Sequence, residues 1–197
     1  MSNKGVYLGR FQPFHNRHLD MVNYLLQNFP GIELSVGVAD WRGQPSKENF
    51  LNGFEAQRAA RLSVEAAKLI NVQIIRFPLF PEVSLEKTLR KRLHEEEIGV
   101  VFSGSEKTIS ALENVVSDGF DLEIVDLKDT WDGVRSTQIR EWIRDGDETW
   151  RQYVSPSVAE YLSQPVFRER LLSLVGGEKR PWGIEGKSFS SNGVERK

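Results

Sequence analysis

Short apolar runs of β type alternate along this chain with longer stretches of helical periodicity, and that alternation leaves few architectures open. Residues 5–9 (GVYLG), 32–39 (IELSVGVA), 72–79 (VQIIRFPL), 99–103 (GVVFS) and 120–127 (FDLEIVDL) read as strands. Between the first two, residues 18–29 set Leu19, Val22, Leu25 and Leu26 on one helical stripe, which Pro30 and Gly31 end. Further helices are predicted over 54–70, over 85–97 and onward from Gly104 and Ser105, the last with Ile109, Leu112, Val115 and Val116 on its inner face. Such an order predicts a parallel sheet, because each helical crossover returns the chain to the same end of the sheet.

Beyond the fifth strand come helices at 137–144 and 158–174, then the polar, glycine-rich stretch from Gly176 to Lys197. The expected fold is α/β and Rossmann-like: an open parallel sheet of about five strands, helices on both faces, and a small C-terminal helical annex from about residue 137. Residues 1–175 would form one domain and 176–197 a flexible polar tail.

Composition removes several function classes. The chain has no cysteine, so disulfides, thiolate zinc sites and a cysteine nucleophile are excluded. A formal net charge of -2 gives no broad basic field, which argues against a nucleic-acid partner. No run approaches the roughly 20 apolar residues of a membrane span. The expectation is a soluble, cytoplasmic protein with no membrane partner.

In an open parallel sheet ligands bind beyond the carboxyl ends of the strands, so the loop after the first strand is the first place to look for a site. It reads GRFQPFHNRH, from Gly9 to His18. Gly9 lets a ligand approach the backbone. His15 and His18 are three apart at a helix start, where they share a face and where free backbone N–H groups favour anions. Two imidazoles there suit phosphate oxygens. The residues alone leave two other readings open, capping or surface histidines and a zinc pair, although no carboxylate lies at a helpful short spacing for metal.

The run GRFQPFHNRHL resembles the signature of the HxGH nucleotidyltransferase superfamily, and within it the archaeal-type nicotinamide-mononucleotide adenylyltransferases. That resemblance implies that His15 and His18 contact the phosphates of ATP and stabilise the charge of departing pyrophosphate, with Gly9, Arg10 and Phe11 lining the nucleotide cleft. A second match is RSTQIR, Arg135 to Arg140, similar to the family's S-T/G-T-x-I-R element. It implies that Ser136, Thr137 and the following N–H groups cradle phosphate while Arg140 supplies a catalytic cation. Residues 154–164 (VSPSVAEYLSQ) are similar to the family's closing helix, so the resemblance spans about Gly5 to Leu174.

The chain departs from the family pattern at three places. Arg17 stands where the motif has glycine, which either shows that the backbone needs no positive φ there or adds a charge to the phosphate site. Residues 80–89 (FPEVSLEKTL) hold no tryptophan where the family has one for the nicotinamide nucleotide. Gly104 and Ser105 replace a Gly-Asn pair. The acceptor-side expectations are therefore Trp41, Arg42, Arg58, Gly104 and Ser105, with a plain structural role open for each.

The resemblance implies that nicotinamide mononucleotide attacks ATP to give NAD and pyrophosphate, with Mg²⁺ accompanying the ATP, in a chain that can assemble as a homo-oligomer. Rivals on the same fold are a cytidylyltransferase and a pantetheine-phosphate adenylyltransferase. A module that senses ATP or NAD without turnover is the rival from another class.

Overall fold

The computed structural model describes residues 2–128 and 133–175. Five strands, β1 (Lys4–Gly9), β2 (Glu33–Trp41), β3 (Gln73–Leu79), β4 (Val100–Ser103) and β5 (Glu123–Asp126), form one sheet in the order β3-β2-β1-β4-β5. Every pairing is parallel. The chain steps outward from β1 to β3 and then crosses back to place β4 beside β1. The strand order therefore reverses between the carboxyl ends of β1 and β4, and a crevice opens there.

Four crossover helices cover the two faces. α1 (Asn16–Asn28) and α2 (Gly53–Ala66) pack on one face, α3 (Leu85–Glu95) and α4 (Glu106–Ser117) on the other. Alternation along the strands explains the split. Val6 and Leu8 of β1 join Leu89, Leu93 and Leu112 in one core, while Leu34, Val36 and Val38 of β2 join Val22, Leu25 and Ala60 in the other.

The annex comprises α5 (Ser136–Asp145), a 3-10 helix (Glu148–Tyr153), α6 (Pro156–Leu162) and α7 (Pro165–Val175), and it closes over the α1–α2 face. The elements differ from the sequence expectation at several places. The single helix foreseen at 158–174 is two, because Pro165 cannot continue α6 but suits the first turn of a new helix. The 3-10 helix was not foreseen; its Trp150 is buried in the core. α2 stops at Ala66, where Lys68 turns to positive φ and leaves Ile70 91% exposed. β5 keeps only the middle of the expected 120–127. The expected tail, 176–197, lies outside the described residues.

Candidate active site

The loop between β1 and α1 is held from beneath by its own aromatics. Phe11 takes a left-handed backbone conformation, φ 48°, which for a bulky residue costs about 1–3 kcal/mol and persists only where packing dictates it. That packing is visible: the Phe11 ring meets Tyr7 edge-on at 5.3 Å and His18 edge-on at 4.9 Å, and is only 3% exposed. Gly9 is required by the same ring, since a β-carbon there would sit 2.9 Å from it. Phe11 is thus the floor under His18 rather than a wall of the nucleotide cleft, a correction to the sequence expectation.

His15 occupies the cap position of α1 and His18 the third helical position, which stacks the two imidazoles at 3.7 Å between ring centres. The backbone N–H of His15 donates to Nδ1 of His18 at 3.2 Å. An accepting Nδ1 carries no proton, so the proton of neutral His18 resides on Nε2. Burial holds both rings neutral: it pushes His15 down to about 3 and His18 well below its ordinary 6.5, and the Arg17 charge adds to both shifts. Arg17 lies inside α1 and is absent from the positive-φ positions, so the motif glycine is not needed for backbone conformation in this chain.

Several of the described helices differ in how they start. α2, α3, α4, α6 and the 3-10 helix begin with Asn52, Ser84, Ser105, Ser155 and Asp147, whose side chains bond first-turn N–H groups. α1 and α5 begin instead with His15 and Arg135, and neither has an acidic residue in its first turn. The start of α5 reaches the loop that leads into α1. Ser136 Oγ donates to the Pro13 carbonyl at 3.2 Å, and Arg140 Nη1 to the Gln12 carbonyl at 2.8 Å. Arg140 also donates to Thr137 Oγ1 at 3.1 Å. Burial and the neighbouring Arg10 lower the Arg140 pKa, while Glu48 opposes them. Two cations, two neutral imidazoles and two helix starts without acidic residues give this end of the sheet a chemistry suited to anions.

Beside it a hollow of about 610 Å³ opens beyond β1–β4. Gly9 and Arg10 line it on the phosphate side, Trp41 and Phe80 give it aromatic walls, and Asn49 and Ser105 contribute polar edges. Ser103, fully buried, donates to the Leu8 carbonyl at 3.2 Å and pins β4 to β1 at the crevice. Trp41 and Ser105, expected from sequence, therefore line this hollow. Gly104 is exposed near Leu127 and is not among the lining residues.

Two expected acceptor residues point elsewhere. Arg42 pairs at 2.6 Å with Asp40, which is 2% exposed and which Arg76 also approaches, at 3.5 Å. Burial raises the Asp40 pKa despite both arginines. Arg58 lies on the outer side of α2, over the Tyr161 ring at 4.9 Å. Neither lines the hollow. Glu48, Asn49, Phe80 and Gln12 were missed by sequence reasoning. For Gln12 the signal was an amide set inside an otherwise apolar FQPF run. Among the described residues no group of three or more His, Asp or Glu could hold a metal ion, and no helix is long and apolar enough to cross a membrane.

Curated proteins resemble the chain over most of its length. A nicotinamide-nucleotide adenylyltransferase of Sulfurisphaera tokodaii is 28% identical over 174 residues, 85% of this chain and 95% of that protein. The chain is related to the archaeal nicotinamide-nucleotide adenylyltransferases. A second, from Thermococcus kodakarensis, is 24% identical over 88% of this chain and 89% of its own length. A phosphopantetheine adenylyltransferase of Actinobacillus succinogenes is 26% identical over 81% of this chain and 94% of its own.

Among solved structures, a bifunctional NMN adenylyltransferase/ADP ribose pyrophosphatase of Francisella tularensis, complexed with AMP and a manganese ion, superposes with a TM-score of 0.64 at 18% identity. It matches 88% of this chain, which spans about half (53%) of that longer one. At that identity the likeness concerns the fold alone, which is that of the nucleotidyltransferases. No family model matches the chain.

Proposed function

We propose that the chain is an adenylyltransferase that joins nicotinamide mononucleotide to ATP, giving NAD and pyrophosphate. The observation that carries this reading is the stacked, neutral histidine pair at the start of α1, adjoining through Gly9 and Arg10 an aromatic-walled hollow. The relatives' names support the choice of acceptor.

A phosphate oxygen of the mononucleotide attacks the α-phosphorus of ATP; the bond from that phosphorus to the β-bridging oxygen breaks, and pyrophosphate leaves with the electron pair. The attacking oxygen is already anionic, so no general base is needed and catalysis reduces to positioning and charge stabilisation. His18 donates from Nε2 to a phosphate oxygen, and His15 gives a second N–H. As neutral donors they offer hydrogen bonds that strengthen as charge builds on the leaving group. Arg140, Arg10 and the first-turn N–H groups at Ser136 and Thr137 supply the fixed positive potential. ATP would enter with magnesium, which would lend positive charge to its phosphates and would rely on the nucleotide rather than on a carboxylate cluster of the protein. On the acceptor side, Trp41 and Phe80 flank the nicotinamide ring and Ser105 offers a hydroxyl.

Pyrophosphate release from ATP with nicotinamide mononucleotide, compared with phosphopantetheine and other phosphate acceptors, tests the reading. Preference for the mononucleotide is expected. Preference for phosphopantetheine would favour the reading that the Actinobacillus relative suggests, and ATP binding without turnover on any acceptor would overturn both.

A further inference from the structure

Gln12 sits between the two halves of the site and is bonded to both. Its side-chain amide is 4% exposed and closes on one residue of the β2–α2 loop: Nε2 donates to the Leu51 carbonyl at 2.9 Å and Oε1 accepts the Leu51 N–H at 2.8 Å. The amide thereby behaves as a strand neighbour, satisfying both backbone polar groups of Leu51, a residue 2% exposed. The backbone carbonyl of the same residue accepts from Arg140 at 2.8 Å.

What these bonds connect decides their meaning. Arg10, two residues before Gln12, lines the hollow, and so do Glu48 and Asn49, three and two residues before Leu51. The two walls approach in charge as well as space, since Glu48 senses both Arg140 and Arg10. Over 46–49 the loop bonds to itself: Ser46 and Asn49 bond each other's backbone, and the Asn49 N–H also donates to Ser46 Oγ at 3.2 Å. From Phe50 onward the loop is fixed a second time, because Arg170 of α7 donates to the Phe50 carbonyl at 2.8 Å and pairs with Glu55 at 2.6 Å, and Asn52 and Glu55 form a capping box.

The geometry points to Gln12 as a positioning residue for the acceptor: its amide fixes the Glu48–Asn49 wall of the hollow in register with the Gly9–Arg10 wall, while its carbonyl seats the phosphate-side Arg140. This rests on the adenylyltransferase reading. It makes the histidine loop a structural part of acceptor recognition, beyond its part in gripping ATP.

The test uses Gln12→Ala and Gln12→Glu in the full chain, with three readouts. Gln12→Ala strands the buried Leu51 peptide, so the acceptor KM should rise about tenfold while the affinity for a non-hydrolysable ATP analogue stays within about threefold. Gln12→Glu keeps an acceptor for the Leu51 N–H but loses the donor for its carbonyl, and should fall between. Hydrogen exchange without any substrate should quicken at Leu51 and across 46–51 in Gln12→Ala, leaving the α1 amides unchanged. An unchanged acceptor KM in an active enzyme, or equal losses for acceptor and ATP, overturns the inference. Should the unaltered chain turn over no acceptor, the adenylyltransferase reading fails, and unchanged exchange would separately overturn the link between Gln12 and the loop.

Discussion

On the proposed function, the phosphate end of the site and the acceptor hollow are built in opposite ways. The phosphate end is local: His15, His18 and their supporting Phe11 fall within eight residues, and only α5 comes from elsewhere. The hollow is assembled from loops after four strands, so its wall residues are far apart in sequence and mostly apolar or aromatic. Phosphate presents the same charge and oxygen geometry in every nucleotide, so one short constellation of donors serves it. An acceptor is recognised by shape, which loops of different length supply in combination. Chains sharing the first part can then differ in the second.

Substitutions that separate the two ends sharpen this contrast, and the largest effect is expected at Arg140. Arg140→Ala removes a cation and the bond to the Gln12 carbonyl, and should lower kcat by about a hundredfold or more in single-turnover assays. A loss confined to acceptor KM would move Arg140 to the other side of the comparison. Trp41→Ala should raise the acceptor KM about tenfold and leave ATP-analogue binding in a calorimetric titration nearly unchanged. If ATP binding weakened equally, the hollow would belong to the adenosine half.

Stability distinguishes the ends more subtly. Gly53 starts α2 against the Asp40 carboxylate, which a β-carbon there would overlap. Gly53→Ala should therefore destabilise by about 1–3 kcal/mol in urea unfolding, through overpacking. The histidine pair should make itself felt through pH. Both rings titrate far lower in the folded protein than their ordinary 6.5, so between those limits the unfolded chain binds the extra protons. Stability from this source is complete above about pH 6.5 and falls as the pH drops below it. The urea midpoint of a His15→Gln, His18→Gln double variant should fall less steeply over that range; an identical slope would show that the rings are not held neutral.

The same contrast explains what could be read in the sequence. Periodicity placed all five strands and the four crossover helices, because each buries a regular face. It misjudged the annex, where Pro165 breaks a stripe that Val158, Leu162 and Leu171 carry on both sides. His15 and His18 stand out in the sequence because they are neighbours both in the chain and in space, whereas Ser136 and Arg140 reach Pro13 and Gln12 from far along the chain. Arg42 and Arg58 were misplaced because an arginine after a strand or on a helix says nothing of its partner, and here Asp40 and the Tyr161 ring hold them. Gln12 and Asn49 escaped because their roles depend on a loop meeting that no spacing records.

The most direct test is a count of NAD formed from ATP and nicotinamide mononucleotide at saturating concentrations, by the unaltered chain and by His18→Ala. Formation of NAD in step with pyrophosphate is predicted, reduced about a hundredfold or more in the variant while ATP-analogue affinity changes by less than about tenfold. Absence of NAD with the unaltered chain, or a variant that makes it at the same rate, would contradict the account.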